Sequence, residues 1–302
     1  SRGGKDHMTI TEGIITGSYD VVDESESSSL NDRQTIPETL EKYGIDPKEI
    51  SKLIRGPDAS GSERSLFDWK DGSEHFQAED VTLANMVHGP VDCDQIDYLL
   101  RDAHFTGVRH GAIDHMRLIR SLRRRGGNIA VDEGGLAALE GMLMARGLMY
   151  SAVYFHRVTR VTEVMLSRAV ERSEDKLPEA ELMQRKVESE IWSDLNSAGD
   201  YAKDILTRLK YRRLFKVAKT FRKGELSTDQ VASLVKIATN PDHRRSVEDD
   251  IAFRAGLEPG YVAIDVPSVK LLLSEPRMSQ VDIRILGDDG KTRWLKDHTP
   301  IA

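Results

Sequence analysis

The 302-residue sequence is poor in cysteine and in long apolar runs. Its one cysteine, Cys93, excludes an intramolecular disulfide and a cysteine-rich zinc site. No segment approaches the roughly 20 consecutive apolar residues that a membrane-spanning helix needs. The polar start, residues 1–8, has no signal-peptide core. These absences predict a cytoplasmic protein that has no membrane partner.

An excess of basic charge is also absent. Lysine and arginine number 43 against 50 acidic residues, which gives a net charge of −7. This balance argues against a general nucleic-acid partner, because such proteins usually carry net positive charge. One local exception is an arginine cluster, which is either a phosphate-binding surface or the exposed end of a helix. The cluster consists of Arg117, Arg120, Arg123, Arg124 and Arg125.

Helical patterns account for most of the chain. A helical pattern begins at Met8, and Asp46 followed by Pro47 predicts the start of a short helix that ends near Arg55. Apolar periodicity then predicts several helices. They cover residues 94–105, 114–125, 133–171 with a break near Gly147, 182–196 and 198–216.

The C-terminal part has a different pattern. Ser227 and Asn240 each predict the start of a helix. Alternating apolar residues then predict strands at 261–266, 280–286 and 291–295. We therefore predict a mainly α protein, with a helical domain at 1–160, a helical extension at 161–221 and a small α+β appendage at 222–302.

The run 92–102 (DCDQIDYLLRD) has the most informative polar pattern. On a helix, Asp94, Tyr98 and Asp102 are spaced by four residues and share one face. Two carboxylates and a phenol on one face are not typical of a core stripe, so the face is a candidate site. The alternative is a solvent-exposed polar helix that Asp92 or Asp94 caps.

A second polar pattern lies inside an apolar helix. Arg146, Tyr150, Tyr154 and Arg157 recur there at helical spacing. An arginine in such a helix needs a partner, and phosphate fits its planar guanidinium group. The alternative is a core stripe of tyrosines beside arginines whose charged ends reach solvent.

Three segments together resemble a known family. They are 89–107 (GPVDCDQIDYLLRDAHFTG), followed by Asp114 and Arg117, then 146–157 (RGLMYSAVYFHR) and 211–216 (YRRLFK). The first resembles the last motif of HD-domain phosphohydrolases, and all three resemble the deoxynucleoside triphosphate (dNTP) triphosphohydrolases, which include SAM-and-HD-domain enzymes. The resemblance covers residues 85–220 and implies an HD-like helical body, of which 1–160 would be the C-terminal part.

The resemblance implies specific roles at the site. Asp94 would be the catalytic aspartate that ligates a divalent metal (Mn, Fe, Ni, Zn or Mg). Tyr98 and Asp102 would contact the deoxyribose, Arg146 would bind phosphate, and Tyr154 would pack against the sugar. Gln95 stands where the family often has a phosphate-binding lysine, which puts that contact in doubt.

The resemblance also implies a homo-oligomer, and it allows an effector nucleotide site. The candidate residues for the effector are Asp114, Arg117, His156, Arg157, Arg212 and Lys216. Ala152 occupies the position of an arginine in the effector-regulated enzyme. For Arg212 and Lys216, the alternative is a plain basic helix end.

The histidines of the HD motif are not found. The sequence has no His-Asp dipeptide, and the histidines before Asp94 are His7, His75 and His88, none in the expected context. One carboxylate cannot hold a transition metal. The expectation is that an N-terminal portion with the motif is missing, although a partner chain could supply it or the protein could have lost its metal. Residues 1–8 resemble a cloning remnant.

The predicted parent function is hydrolysis of a dNTP to a deoxynucleoside and triphosphate. The alternatives are a phosphohydrolase of another nucleotide and a non-catalytic nucleotide-binding or regulatory protein.

Overall fold

The computed structural model describes residues 7–22, 29–30, 33–55, 78–125, 128–221, 223–266 and 283–299. The chain packs as two compact units. The first unit comprises residues 1–149 and 277–302, and the second unit comprises residues 150–276. The domain boundaries after residues 160 and 221 stay predictions, because a division by packing does not by itself define domains. No described helix is both long and apolar enough to cross a membrane.

The first unit contains seven of the described α-helices. They are α1 (His7–Thr16), α2 (Ile36–Lys42), α3 (Pro47–Arg55), α4 (Ala78–His88), α5 (Cys93–Thr106), α6 (His115–Ser121) and α7 (Leu136–Met149). The predictions near 8–17, 47–55 and 94–105 are confirmed. At α2, Thr35 and Glu38 form a reciprocal capping box that satisfies the first free backbone N–H groups of the helix.

A four-stranded sheet completes the first unit. Its strands are β1 (Leu122–Arg125), β2 (Asn128–Asp132), β3 (Arg284–Leu286) and β4 (Thr292–Trp294), in that spatial order. β2 is antiparallel to β1 and parallel to β3, and β3 is antiparallel to β4.

The sheet confirms one prediction and corrects another. Strands predicted at 280–286 and 291–295 are found as β3 and β4, while 280–282 lie outside the described residues. The helix predicted at 114–125 is wrong beyond Ser121, because residues 122–125 pair with β2 and this long-range pairing overrides local helical propensity. The mainly α fold with a small α+β part is confirmed.

The second unit is helical. Its α-helices are α8 (Arg157–Glu171), α9 (Ala180–Met183), α10 (Glu188–Ser197), α11 (Asp200–Lys210), α12 (Thr228–Thr239) and α13 (Pro241–Arg254). Ser227 and Asn240 cap α12 and α13 as predicted. A π-helical turn at Tyr150–Tyr154 precedes α8, and Phe155 N donates to Tyr150 O over 2.8 Å.

Four predictions for residues 147–266 need correction. The break predicted near Gly147 lies at the π-helical turn instead, because the wide turn interrupts the regular hydrogen-bond ladder there. The helix predicted at 182–196 is divided between α9 and α10, and the one at 198–216 ends at Lys210. Residues 261–266 form no strand, since side chains and not a neighbouring strand satisfy their backbone groups.

Each unit has its own apolar core. In the first unit, Leu99 of α5, Leu118 of α6, Leu139 of α7 and Ile285 of β3 are fully buried. In the second unit, a cluster joins α8 to α11 and to the residue that follows α10. Its buried members are Met165, Ala169, Ala198, Ala202 and Ile205. These cores hold the helices that carry the polar residues considered next.

Candidate functional site

Helix α5 carries the candidate site, and its start is strongly fixed. Asp92 is the N-cap residue, and its Oδ1 accepts a hydrogen bond from Gln95 N over 2.7 Å. Only 8% of Asp92 is exposed. The helix ends at Gly107, which has the left-handed conformation that glycine adopts at little cost (φ 72°).

Gln95 connects three parts of the first unit. Its Nε2 donates to Gly89 O over 3.1 Å and to Asp92 Oδ2 over 2.9 Å. Its Oε1 accepts from Arg146 Nη1 over 3.1 Å. Gln95 therefore ties the turn before α5 to α5 itself and to α7, and it fixes one end of the Arg146 guanidinium group.

The predicted polar face is present on α5. Asp94 is exposed, Tyr98 and Asp102 are half-buried, and the apolar side of the helix places Leu99 in the core. Gln95 lies three residues before Tyr98 and seven before Asp102, so it belongs to the same side of the helix. The structure thus brings Asp94, Gln95, Tyr98 and Asp102 together on α5, with Arg146 bonded to the same side.

Arg146 lies in an apolar helix, as the sequence indicates. Its neighbours on α7 include Met142, Leu143 and Met149, which are buried, whereas Arg146 itself is half-buried. Part of Arg146 is therefore accessible to solvent although the helix around it is apolar.

Tyr154 belongs to the second unit. Its ring meets that of Tyr150 edge to face, with 5.1 Å between centroids, and Tyr150 also lies 5.6 Å from Phe155. Both tyrosines are part of the π-helical turn. This aromatic group agrees with the alternative of a tyrosine stripe as well as with a sugar contact, so the role of Tyr154 stays a prediction.

The predicted effector residues have local structural contacts. Asp114 caps α6 by accepting from Arg117 N over 3.1 Å, and the Arg117 guanidinium donates to Gly134 O over 3.1 and 2.8 Å. His156 caps α8, with Nδ1 accepting from Val158 N over 3.3 Å.

The remaining effector candidates are exposed residues of the second unit. Arg157 opens α8, whereas Arg212 and Lys216 follow the end of α11. The geometry at Arg212 is that of a helix end, because its φ of 53° is left-handed and the N–H groups of Arg212 and Arg213 donate to Leu209 O and Arg208 O.

The arginine cluster is partly on a strand. Arg123, Arg124 and Arg125 lie on β1, at the edge of the sheet, and are exposed. Arg123 pairs with Asp132 of β2 over 2.6 Å. The explanation by a helix end therefore applies at most to Arg117 and Arg120.

A metal centre is not supported by the side chains that the structure describes. Among those residues, no group of three or more His, Cys, Asp or Glu is close enough to hold a metal ion. Asp94 alone does not provide a coordination sphere. The described part of this chain therefore does not fit a divalent metal, and no chemical step is assigned to one.

The sequence did not identify a second polar cluster, around Arg168 and Glu248 in the second unit. Arg168 Nε donates to both carboxylate oxygens of Glu248 over 3.0 and 3.1 Å, and Nη2 donates over 2.8 Å. The side chains are 5% and 0% exposed. These residues are 80 positions apart, so no local spacing reveals the pair.

A family model describes most of this chain. Residues 113–302 match the model of the HD associated region, which is more than half of the sequence. The chain therefore belongs to this family, and with it to the HD superfamily. The segment includes α6 and α7 with Arg146, whereas the polar face of α5 precedes it.

Curated relatives match parts of this chain. The uncharacterized protein YwfO of Bacillus subtilis is 41% identical over 91 residues, 30% of this chain and 21% of that protein. The uncharacterized protein MJ1154 of Methanocaldococcus jannaschii is 29% identical over 223 residues, 72% of this chain and 46% of that protein. Deoxynucleoside triphosphate triphosphohydrolase SAMHD1 of Gallus gallus is 29% identical over 149 residues, 46% of this chain and 24% of that protein.

These coverages mean that the chain spans less than half the length of the relatives it matches. Among solved structures, a phosphohydrolase from Bacteroides thetaiotaomicron is similar with a TM-score of 0.54 and 20% identity. The match covers 98% of this chain and 80% of the other. At this identity the likeness concerns the fold.

Proposed function

We propose that this chain carries the nucleotide-binding part of an HD-superfamily phosphohydrolase whose substrate is a dNTP. The observation that carries the proposal is the hydrogen bond between Arg146 and Gln95. It holds a guanidinium group on the side of α5 that presents Tyr98 and Asp102. Membership of the HD associated region family and the partial likeness to SAMHD1 support the same reading.

The chemistry of the face suits a nucleotide. A guanidinium group binds phosphate oxygens through parallel N–H donors, and the bonds are strengthened by charge. Tyr98 can accept or donate a hydrogen bond and Asp102 can accept one, so together they suit a sugar hydroxyl. The proposed overall reaction is hydrolysis of the dNTP by water to a deoxynucleoside and triphosphate. The sugar contact that the resemblance implies for Tyr154, a residue of the second unit, stays a separate prediction.

Gln95 differs from the lysine that the resemblance leads one to expect. Its amide has no charge to offer a phosphate, and its Nε2 is already used by Gly89 and Asp92. In our proposal Gln95 acts through Arg146, as a positioning residue. This difference is a specific reason to test other nucleotides beside dNTPs.

The proposal extends to assembly and regulation. We propose a homo-oligomer and regulation by an effector nucleotide, with the predicted residues of each unit as separate candidates for contacting it. These residues are Asp114, Arg117, His156, Arg157, Arg212 and Lys216. Sedimentation velocity with and without dNTP tests both points: a single monomeric species under each condition would contradict the proposal.

The experiment that tests the site is equilibrium binding of a nucleotide panel to the purified chain. The panel contains the four dNTPs, the four ribonucleotides and inorganic triphosphate. Arg146→Gln should weaken dNTP binding by about tenfold or more, since one charge-assisted phosphate contact is worth roughly 1.5–3 kcal/mol. Tyr98→Ala should weaken nucleotide binding but leave inorganic triphosphate binding unchanged.

Arg254→Gln is the matched control. Arg254 is an exposed arginine of α13 that pairs with Asp250 over 2.9 Å, and it has no part in the proposed site. Equal loss in the control would indicate a general effect of charge. Unchanged dNTP affinity in both Arg146→Gln and Tyr98→Ala would show that the site is misplaced. Preference for a ribonucleotide would favour a phosphohydrolase of another nucleotide.

A further inference from the structure

The neighbours of the Gln95 side-chain amide define its orientation. One end of the amide lies 3.1 Å from Gly89 O and 2.9 Å from Asp92 Oδ2, and the other end lies 3.1 Å from Arg146 Nη1. Carbonyl and carboxylate oxygens only accept hydrogen bonds, whereas a guanidinium group only donates them. The NH2 group of Gln95 therefore faces Gly89 and Asp92, and its oxygen faces Arg146.

The opposite orientation of the amide is unfavourable at all three contacts. The amide oxygen would then meet two acceptors, and the NH2 group would meet the donors of Arg146. Gly89 and Asp92 are both buried, so water does not readily replace a lost partner on their side. These two acceptors thus decide which end of the Gln95 amide Arg146 meets.

Both acceptors are held in place by the backbone around them. Asp92 caps α5, and because its Oδ1 accepts from Gln95 N over 2.7 Å, its Oδ2 stays beside the Gln95 side chain. Gly89 lies in the turn between α4 and α5, where a Cβ atom would come within 2.1 Å of Asn85 O. Only glycine fits this close approach, which fixes the position of the Gly89 carbonyl.

We infer that Asp92 is a positioning residue for phosphate: it holds the Gln95 amide with its oxygen towards Arg146, and that oxygen holds the Arg146 guanidinium group where phosphate binds. Both carboxylate oxygens of Asp92 accept from Gln95, and a carboxylate repels phosphate. Its favourable effect on phosphate binding is therefore exerted through Gln95. The inference rests on the proposed function in one respect, which is that Arg146 meets phosphate.

The variant Asp92→Asn changes the acceptor while it keeps the cap. Asparagine caps a helix about as well as aspartate, so its Oδ1 can still accept from Gln95 N. The second oxygen is replaced by an NH2 group, which cannot accept from Gln95 Nε2. The Gln95 amide then loses its fixed orientation, and Arg146 loses its acceptor.

Calorimetric titration with inorganic triphosphate at fixed ionic strength measures the consequence. Asp92→Asn should weaken triphosphate binding by about fivefold, which is the effect of losing one hydrogen bond of ordinary strength. The loss of a negative charge alone predicts the opposite result, because it would strengthen the binding of an anion. Unchanged or tighter binding by Asp92→Asn would therefore overturn the inference.

Asp97→Asn is the matched control for this titration. It makes the same chemical change on the same helix, at an exposed residue that pairs with Arg101. It should leave the affinity for triphosphate unchanged. A loss equal to that of Asp92→Asn would show a general effect of charge on α5, and the inference would be wrong.

A double-mutant cycle shows whether Asp92 acts through Gln95. Gln95→Met leaves the cap of α5 intact but removes the amide, so it should also weaken triphosphate binding by about fivefold. Asp92→Asn added to Gln95→Met should cause no further loss, because the group that Asp92 orients is gone. A merely structural role of Asp92 would give two independent losses that add, and that result would contradict the inference.

Hydrogen exchange of the Gln95 side-chain NH2 group, followed by NMR, tests the orientation without a ligand. Its signals are identified by their absence from the spectrum of Gln95→Met. Because Gly89 and Asp92 each accept one hydrogen bond from this group, Asp92→Asn should speed its exchange with water by about tenfold. Asp97→Asn should not change the rate. Unchanged exchange in Asp92→Asn would overturn the inference whether or not the chain binds triphosphate.

The inference and the proposed function fail in different ways. If Arg146→Gln weakens triphosphate binding and Asp92→Asn does not, the proposed site stands and the positioning role of Asp92 is wrong. If neither variant changes the affinity, phosphate does not meet Arg146 and the proposed site is wrong. In that case the exchange of the Gln95 amide decides by itself whether Asp92 orients it.

Discussion

The polar clusters of the two units differ in how far they are buried. In the first unit, one hydrogen bond joins Arg146 to Gln95, and the polar face beside it is half-buried or exposed. In the second unit, Arg168 and Glu248 are almost fully buried and bond to each other through several atoms. Glu248 also accepts from the backbone of Ile264.

This difference separates a binding surface from a structural centre. A buried charge is tolerated only where partners replace the lost water, and the Arg168–Glu248 pair has such partners. Arg146 and Asp102 are half-buried and Asp94 is exposed, so a ligand can reach this face. Exposure therefore favours α5 with Arg146 as the site, and burial assigns Arg168 and Glu248 to stability.

The largest expected effect is on stability of the second unit. Glu248→Ala leaves the Arg168 charge buried without its main partner, so the free energy of unfolding should fall by about 3–5 kcal/mol. Urea denaturation followed by circular dichroism measures this change. Asp250→Ala, on the same helix but exposed, serves as the control. An equal loss of stability there would contradict the conclusion that a buried charge matters more than an exposed one.

A smaller effect on the free energy of unfolding is expected at alkaline pH. Burial raises the pKa of Tyr201 from 10.0 to about 12, although the nearby Arg172 lowers it. The folded state keeps the Tyr201 proton at a pH where the unfolded chain loses it. This contribution is fully present below pH 10, and it is lost as the pH rises towards 12.

Unfolding by urea between pH 8 and pH 12 checks this expectation. Tyr201→Phe should show a weaker decline in stability than the parent chain, because phenylalanine has no proton to lose. An identical decline in both proteins would contradict a raised pKa of Tyr201.

A gain in phosphate affinity is expected at Gln95. Gln95→Lys adds a cation on the side of α5 that meets Arg146, so inorganic triphosphate should bind up to about tenfold more tightly at low salt. Gln95→Met, of similar length and without charge, is the matched control. Equal affinities for the lysine and methionine variants would show that this side of α5 does not meet phosphate.

The smallest effect is expected at the exposed pair of Asp97 and Arg101, which are joined by bonds of 3.0 Å on α5. Hydrogen bonding from Arg101 lowers the pKa of Asp97. Solvent screens such a pair, so Asp97→Asn should leave both unfolding and dNTP binding unchanged within error. A measurable loss of binding would extend the proposed site around α5.

The sequence by itself predicted much of the α5 region. The spacing of Asp94, Tyr98 and Asp102 and the capping residue Asp92 are local features, and helices depend largely on local spacing and capping. The resemblance to a family, and not the periodicity, predicted that Arg146 belongs to the same site as these residues. The metal role of Asp94 stays a prediction, and the described side chains do not supply the remaining ligands.

Only the tertiary structure decided the long-range features. Residues 122–125 read as helix, yet they form a strand because residues 128–132 are available to pair with them. The sequence of residues 261–266 predicts a strand. In the structure the backbone of Gly260 and Ile264 is instead hydrogen-bonded to side chains of distant helices. Arg168 and Glu248 look like ordinary surface charges until folding brings them together across 80 positions, since desolvation and pairing depend on neighbours that local spacing does not encode.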